Sequence, residues 1–109
     1  MTFSLNSIWE IERNVENSSP EPTSEIKIIE SNGPEFKGKY INTNDDSIFH
    51  GEIRSKNNNN IINIKQSETK ANYIAFYIGI EVITGLIRYV GNWVSIDGKK
   101  GNFQLVRKS

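Results

Sequence analysis

An aromatic residue stands two places before a glycine four times in this chain: Phe36-Lys37-Gly38, Phe49-His50-Gly51, Tyr77-Ile78-Gly79 and Tyr89-Val90-Gly91. Glycine weakens a strand unless the strand must bend or let another backbone come close. Side chains alternate along a strand, so each ring shares a face with its glycine. A ring lying over a glycine on the neighbouring strand covers the missing side chain, and the glycine permits a sharp bend. The repeated couple therefore predicts strands that coil tightly enough to close a sheet.

Around these couples, short alternating runs are separated by turn residues, and no stretch keeps an i, i+3, i+4 apolar spacing. Eight strands are predicted: Ser7–Arg13, Glu25–Glu30, Glu35–Asn42, Ser47–Arg54, Ile61–Gln66, Asn72–Ile80, Leu86–Val94 and Asn102–Arg107. Glu16–Ser24, with Pro20 and Pro22, reads as a loop, and Asn57–Asn60 reads as a turn. No linker interrupts the pattern, so residues 1–109 are expected to form a single domain. The predicted fold is all-β, an antiparallel eight-stranded up-and-down barrel, which leaves no free edges.

Two hairpin registers follow. A turn at Asn44-Asp45 sets Tyr40 opposite Phe49, Gly38 opposite Gly51 and Phe36 opposite Ile53, with Lys37 facing Glu52 and Lys39 facing His50. A loop of Ile83-Thr84-Gly85, with Gly85 left-handed, sets Tyr77 opposite Gly91 and Tyr89 opposite Gly79.

Thirteen basic and thirteen acidic residues cancel, which argues against a nucleic-acid partner. With no cysteine, disulfides, thiolate metal sites and cysteine nucleophiles are excluded. The single histidine has no second histidine or carboxylate cluster to join it, so no metal site and no cofactor are expected. No apolar run reaches the roughly 18 residues of a membrane helix, and the first residues do not resemble a signal peptide. The expectation is a soluble cytoplasmic protein without a membrane partner.

Trp9 on the first strand and Arg107 at the end of the last, in "GNFQLVR", resemble the calycins: the lipocalin, fatty-acid-binding and avidin-like barrels. In lipocalin-like barrels a final-strand arginine commonly stacks on a first-strand tryptophan and closes the barrel floor, so the resemblance implies that role for this pair. "FKGKY" followed by "FHGEI" is similar to the third and fourth strands of avidin-like barrels. Tyr40 matches the tyrosine that avidins aim at biotin, and Asn42 takes the place of a serine. Ser7 stands where lipocalins carry the glycine of Gly-x-Trp. Glu10, Ile11 and Glu12 follow Trp9 where avidins carry a biotin-contacting asparagine, and Trp93 alone remains of their several pocket tryptophans. Biotin is therefore disfavoured. The Pro20/Pro22 segment does not read as the helical lid of fatty-acid-binding proteins.

Alternation points Trp9, Ile11, Ile26, Ile28, Phe36, Tyr40, Phe49, Ile53, Ile62, Ile64, Tyr77, Tyr89, Phe103 and Leu105 inward. These side chains either fill so small a barrel or leave a ligand-sized cavity. Tyr40, Asn42, Gln66, Tyr77, Tyr89 and Trp93 are the candidate ligand-binding residues, with Tyr73 as a further inward phenol. Each needs a hydrogen-bond partner, which a structural network or a ligand can supply. His50, Glu52 and Arg54 share a face, read as the solvated side of their strand rather than an acid–base trio. Asp97-Gly98-Lys99-Lys100-Gly101 reads as a hairpin turn, since no helix follows to make it a phosphate loop.

Tyr73–Ile83 is apolar on both faces. Ile74, Phe76, Ile78, Ile80 and Val90 are expected to point outward and to form a homodimer interface, unless Phe3, Leu5 and Ile8 fold over them. The functional expectation is a non-enzymatic carrier or sensor of a small, mainly apolar ligand with one or two polar groups. The alternative is a protein-interaction or structural module with a packed interior. A cofactor-free enzyme using a tyrosine or His50 ranks below both.

Overall fold

The computed structural model describes residues 3–41 and 43–109. Eight strands follow one another: β1 (Ile8–Arg13), β2 (Ser24–Asn32), β3 (Glu35–Tyr40), β4 (Ile48–Lys56), β5 (Asn59–Glu68), β6 (Tyr73–Thr84), β7 (Leu86–Ser95) and β8 (Lys100–Arg107). Each strand pairs antiparallel with its sequence neighbour, and β8 returns to β1, so the sheet is a closed up-and-down barrel. Among the described residues there is no helix, and so none long and apolar enough to cross a membrane.

The alternation of the sequence becomes an inside and an outside. Trp9, Ile11, Ile26, Ile28, Phe36, Phe49, Ile62, Ile64, Tyr77, Tyr89, Phe103 and Leu105 are all buried, while Tyr40 and Ile53 are half-buried against them. Asparagine supplies much of the turn chemistry. Asn57 and Asn58, both at positive φ (53° and 65°), form the two-residue link between β4 and β5, the arrangement of a primed hairpin turn. Gly85 (φ 93°) forms the tip between β6 and β7, and Gly98 (φ 88°) lies in the turn before β8. In that turn Ser95 N donates to Lys99 O at 2.8 Å, so Asp97–Gly101 is indeed hairpin, not phosphate loop.

Both expected registers are displaced by two residues. In β3–β4, Phe36 faces Gly51, Gly38 faces Phe49 and Lys37 faces His50. In β6–β7, Gly79 faces Gly91, Tyr77 faces Trp93 and Ile80, not Ile78, faces Val90. A shift of two leaves every side chain on its face, so hydrophobic alternation cannot distinguish the two registers. Local chemistry decides. Between β3 and β4 there is no two-residue turn at Asn44-Asp45. Instead Asp45 N donates to Thr43 Oγ1 and Ser47 N to Asp45 Oδ1, both at 2.8 Å, spreading the connection over residues 41–47. In β6–β7 the two glycines meet. A Cβ on Gly91 would lie 2.0 Å from Ile78 O, a contact only glycine avoids. Rings still cover glycines, but in different combinations: Phe36 lies over Gly51, and Phe103 of β8 reaches Gly79. Lys37 consequently pairs with Glu30 at 3.2 Å rather than with Glu52, which binds Arg54 at 2.6 Å.

One end of the barrel is shut by rings. Phe3, 1 % exposed, stacks on Trp9 at 4.1 Å and on Phe36 at 4.0 Å between ring centroids, and also touches Tyr89. Trp9 and Arg107 face each other across the β1–β8 seam. The Trp9 Nε1–H donates to Ser7 Oγ at 3.1 Å, and Ser7 Oγ–H to Ser4 O at 2.6 Å. Arg107 Nη2 donates to Ser4 Oγ at 3.4 Å. Residues 3–7 are thus folded into the barrel end, held by Asn6 N to Ile28 O at 2.8 Å, and do not cover the outer face of β6.

Candidate functional site

The opposite end is open. β1 carries Trp9, Ile11 and Arg13 on one face by alternation, and Arg13 is where that face emerges at the mouth. The loop after β1 turns back over it: Glu21 N donates to Arg13 O at 2.9 Å, and Arg13 Nε donates to Glu21 Oε1 at 3.1 Å. A cavity of about 530 Å³ opens here, between this loop, the β3–β4 connection and the β5–β6 hairpin. Its walls include Arg13, Glu21, Tyr40, Asp45, Gln66, Glu68 and Tyr73.

Arg13 organises the floor. Its Nη1 donates to Tyr73 Oη at 2.9 Å and to Tyr77 Oη at 3.0 Å. Its Cζ lies 4.1 Å from the centre of the buried Trp93 ring, a close cation–π contact. Tyr77 Oη–H donates to Gln66 Oε1 at 2.6 Å. Gln66 Nε2 donates to Ser47 Oγ at 3.0 Å and to Tyr40 Oη at 3.4 Å. Trp93 Nε1–H donates to Asn14 O at 3.0 Å. One hydrogen-bonded chain thus runs from Arg13 through the Tyr77 phenol and the Gln66 amide to the buried Ser47, with Tyr73 and Tyr40 as branches. No acceptor among the described residues completes a hydrogen bond from Arg13 Nη2.

Burial opposes the Arg13 charge, but Tyr77, Tyr73 and Glu21 outweigh it and hold the guanidinium protonated more firmly than usual. Burial, reinforced by Asp45, pushes the Tyr40 phenol up to about 12. Burial raises Tyr77 as well. These phenols are poor proton donors and acceptors near neutral pH. The floor is therefore a fixed cation among neutral hydroxyls, chemistry suited to holding an acceptor rather than moving protons.

At the rim, carboxylate oxygens of Asp45, Asp46 and Glu68 lie within 4.8 Å of one another. They are the described group able to offer three oxygens to a hard cation. Its hydrogen bond to Asp45 raises Glu68, and Asp45 itself is lowered by its bonds to Ser47 and Glu68 despite its burial. Asp46 Oδ1 is buried without a donor among the described residues.

The candidate residues divide between the two ends. Tyr40, Gln66, Tyr77 and Trp93 belong to the mouth network. Tyr89 belongs to the closed end, where it touches Phe3 and Trp9 and donates to Glu81 Oε2 at 2.9 Å. Asn42 lies outside the described residues. His50 is exposed on the outer face, between Lys37 and Lys65 of the adjoining strands. Sequence reasoning missed Arg13, although the Trp9-Ile11-Arg13 alternation carried the signal. It also missed Phe3, which precedes the first strand and has no periodicity to mark it, and the rim carboxylates, which the β3–β4 connection and the end of β5 bring together.

Fold and site together define the class: a closed eight-stranded antiparallel β-barrel with a packed, ring-lined interior and one polar mouth. The chain matches no protein-family model, and no curated protein or solved structure shows significant similarity to it.

Proposed function

We propose that this protein is a non-enzymatic binding barrel of calycin type, which holds a small molecule at its mouth. The observation that carries the reading is the Arg13 guanidinium, fixed over Trp93 and between Tyr73 and Tyr77 at the floor of an open 530 Å³ cavity. Sites of this size with a few convergent polar groups are the usual form of a small-molecule pocket. The cationic floor suits a ligand that presents a carboxylate or another strong acceptor. Tyr40 and Tyr73 line the same cavity and supply ring surface for a compact apolar body. Rings fill the barrel below, so the ligand sits in the mouth and does not thread the axis.

The test is native mass spectrometry of protein purified from its source cells. A retained small molecule is expected, weakened at least about tenfold in Arg13→Gln and partly restored in Arg13→Lys. Protein that carries no small molecule, with no thermal shift across a panel of small carboxylates, would overturn the reading. One observation favours a second reading, an interaction module. Phe3, sandwiched between Trp9 and Phe36, seals the far end as a structural core would.

A further inference from the structure

The outer face of β6 is apolar where a soluble barrel is expected to be polar. Phe76, Ile78 and Ile80 are 48 %, 55 % and 54 % exposed along this strand. Val94, 49 % exposed, lies across the ladder from Phe76, and Ile96, 57 % exposed, extends the patch past the end of β7. Ile74 and Val90 are half-buried at its margins. Phe76, Ile78 and Val94 themselves line an open outer depression of about 330 Å³, bounded by His50, Asn63 and Lys65 on one side and by Asn92 on the other. Ile78 has Asn63 as its ladder partner on one side and Asn92 on the other.

We propose that this face is the two-fold interface of a homodimer. Three observations select a second copy as the occupant. First, the chain's own candidate cover is engaged elsewhere, because Phe3 is stacked inside the barrel end and Asn6 and Ser7 are bonded to β2. Second, the five exposed apolar side chains present a patch on the order of 500 Å², at the upper end of what a monomer carries. With the amide rim this approaches the roughly 800 Å² per partner of a standard interface. Third, an apolar centre and an amide rim lie together on one surface. A two-fold axis near Ile78 lays the two apolar centres against each other inside a shared polar rim, as a self-complementary interface requires. It also brings Asn63 and Asn92 of opposite copies together, where their amides can pair. The mouth lies at the end of the barrel, so ligand entry is unobstructed in such a dimer.

Sedimentation equilibrium tests the assignment. The wild-type protein is expected at twice the 12.4 kDa chain mass. Ile78→Lys and Phe76→Glu are expected to weaken association at least about a hundredfold, with the circular dichroism spectrum unchanged and the urea midpoint equal to that of wild-type protein diluted to monomer, because both side chains are exposed on the single barrel. The chain has no cysteine, so single cysteines report the axis. Ile78→Cys should cross-link between copies with a short bis-maleimide, and Lys27→Cys on β2 should not. A monomer at high micromolar concentration would overturn the proposal. So would a dimer that survives both substitutions, an assembly larger than a dimer, or equal cross-linking at the two cysteine positions.

Discussion

Arg13 shows how one residue changes what a barrel mouth can do. Its guanidinium is a donor array that Tyr73, Tyr77 and Glu21 use only in part. Burial holds the nearby Tyr40 and Tyr77 phenols neutral, and this has a thermodynamic consequence. Tyr40 ionises near 12 in the folded barrel against an ordinary value of 10.0, chiefly because it is buried and secondarily because Asp45 is close. The folded state therefore keeps a proton that the unfolded chain loses first. Stability from this source is fully present below pH 10 and disappears as pH rises from about 10 through about 12. Urea unfolding across that window should show a loss of about 2–3 kcal/mol attributable to Tyr40. Tyr40→Phe should flatten the alkaline slope by that amount, and an unchanged slope would show that the phenol is not held neutral by the fold.

At the scale of elements, the glycine couples set how closely strands approach, while the loops set which glycine meets which ring. Gly79 and Gly91 are direct partners in β6–β7, and a Cβ at either would press on the opposing backbone. Gly51 is different, because a Cβ there would meet the Phe36 ring rather than backbone. Backbone cannot step aside as a side chain can. Gly91→Ala is therefore expected to cost at least about 3 kcal/mol in urea unfolding, more than Gly51→Ala. The reverse order would mean that the ring-covered glycine, not the paired one, limits the coiling. The sequence showed that rings and glycines share the inner face. It did not show their pairing, because registers two residues apart bury the same side chains. Only the Thr43–Asp45–Ser47 turn and the Gly79–Gly91 contact separate them.

The whole molecule is a barrel with two unlike ends. Phe3 reaches the closed end from outside the sheet and fills space that eight strands leave between Trp9 and Phe36. Phe3→Ala should destabilise the protein by about 3–5 kcal/mol. Thermal unfolding should fall by roughly 10–20 °C. Added indole should restore part of the loss, because a dry ring-lined cavity takes up small aromatics. A negligible change in melting temperature would show that the rings close up without Phe3. If the dimer forms through β6, each copy has three distinct surfaces: a sealed end, an apolar side and an open polar mouth.

The sequence by itself determined that this chain is all-β, that it has eight strands, and which side chains face inward. Those properties depend on residue type and a period of two, both of which are local. Tertiary structure alone decided the two registers, the entry of Phe3 into the core, and the meeting of Arg13 with Tyr73 and Tyr77, more than fifty residues away. Such meetings depend on how the strands stagger when the sheet closes, and no local pattern carries the stagger.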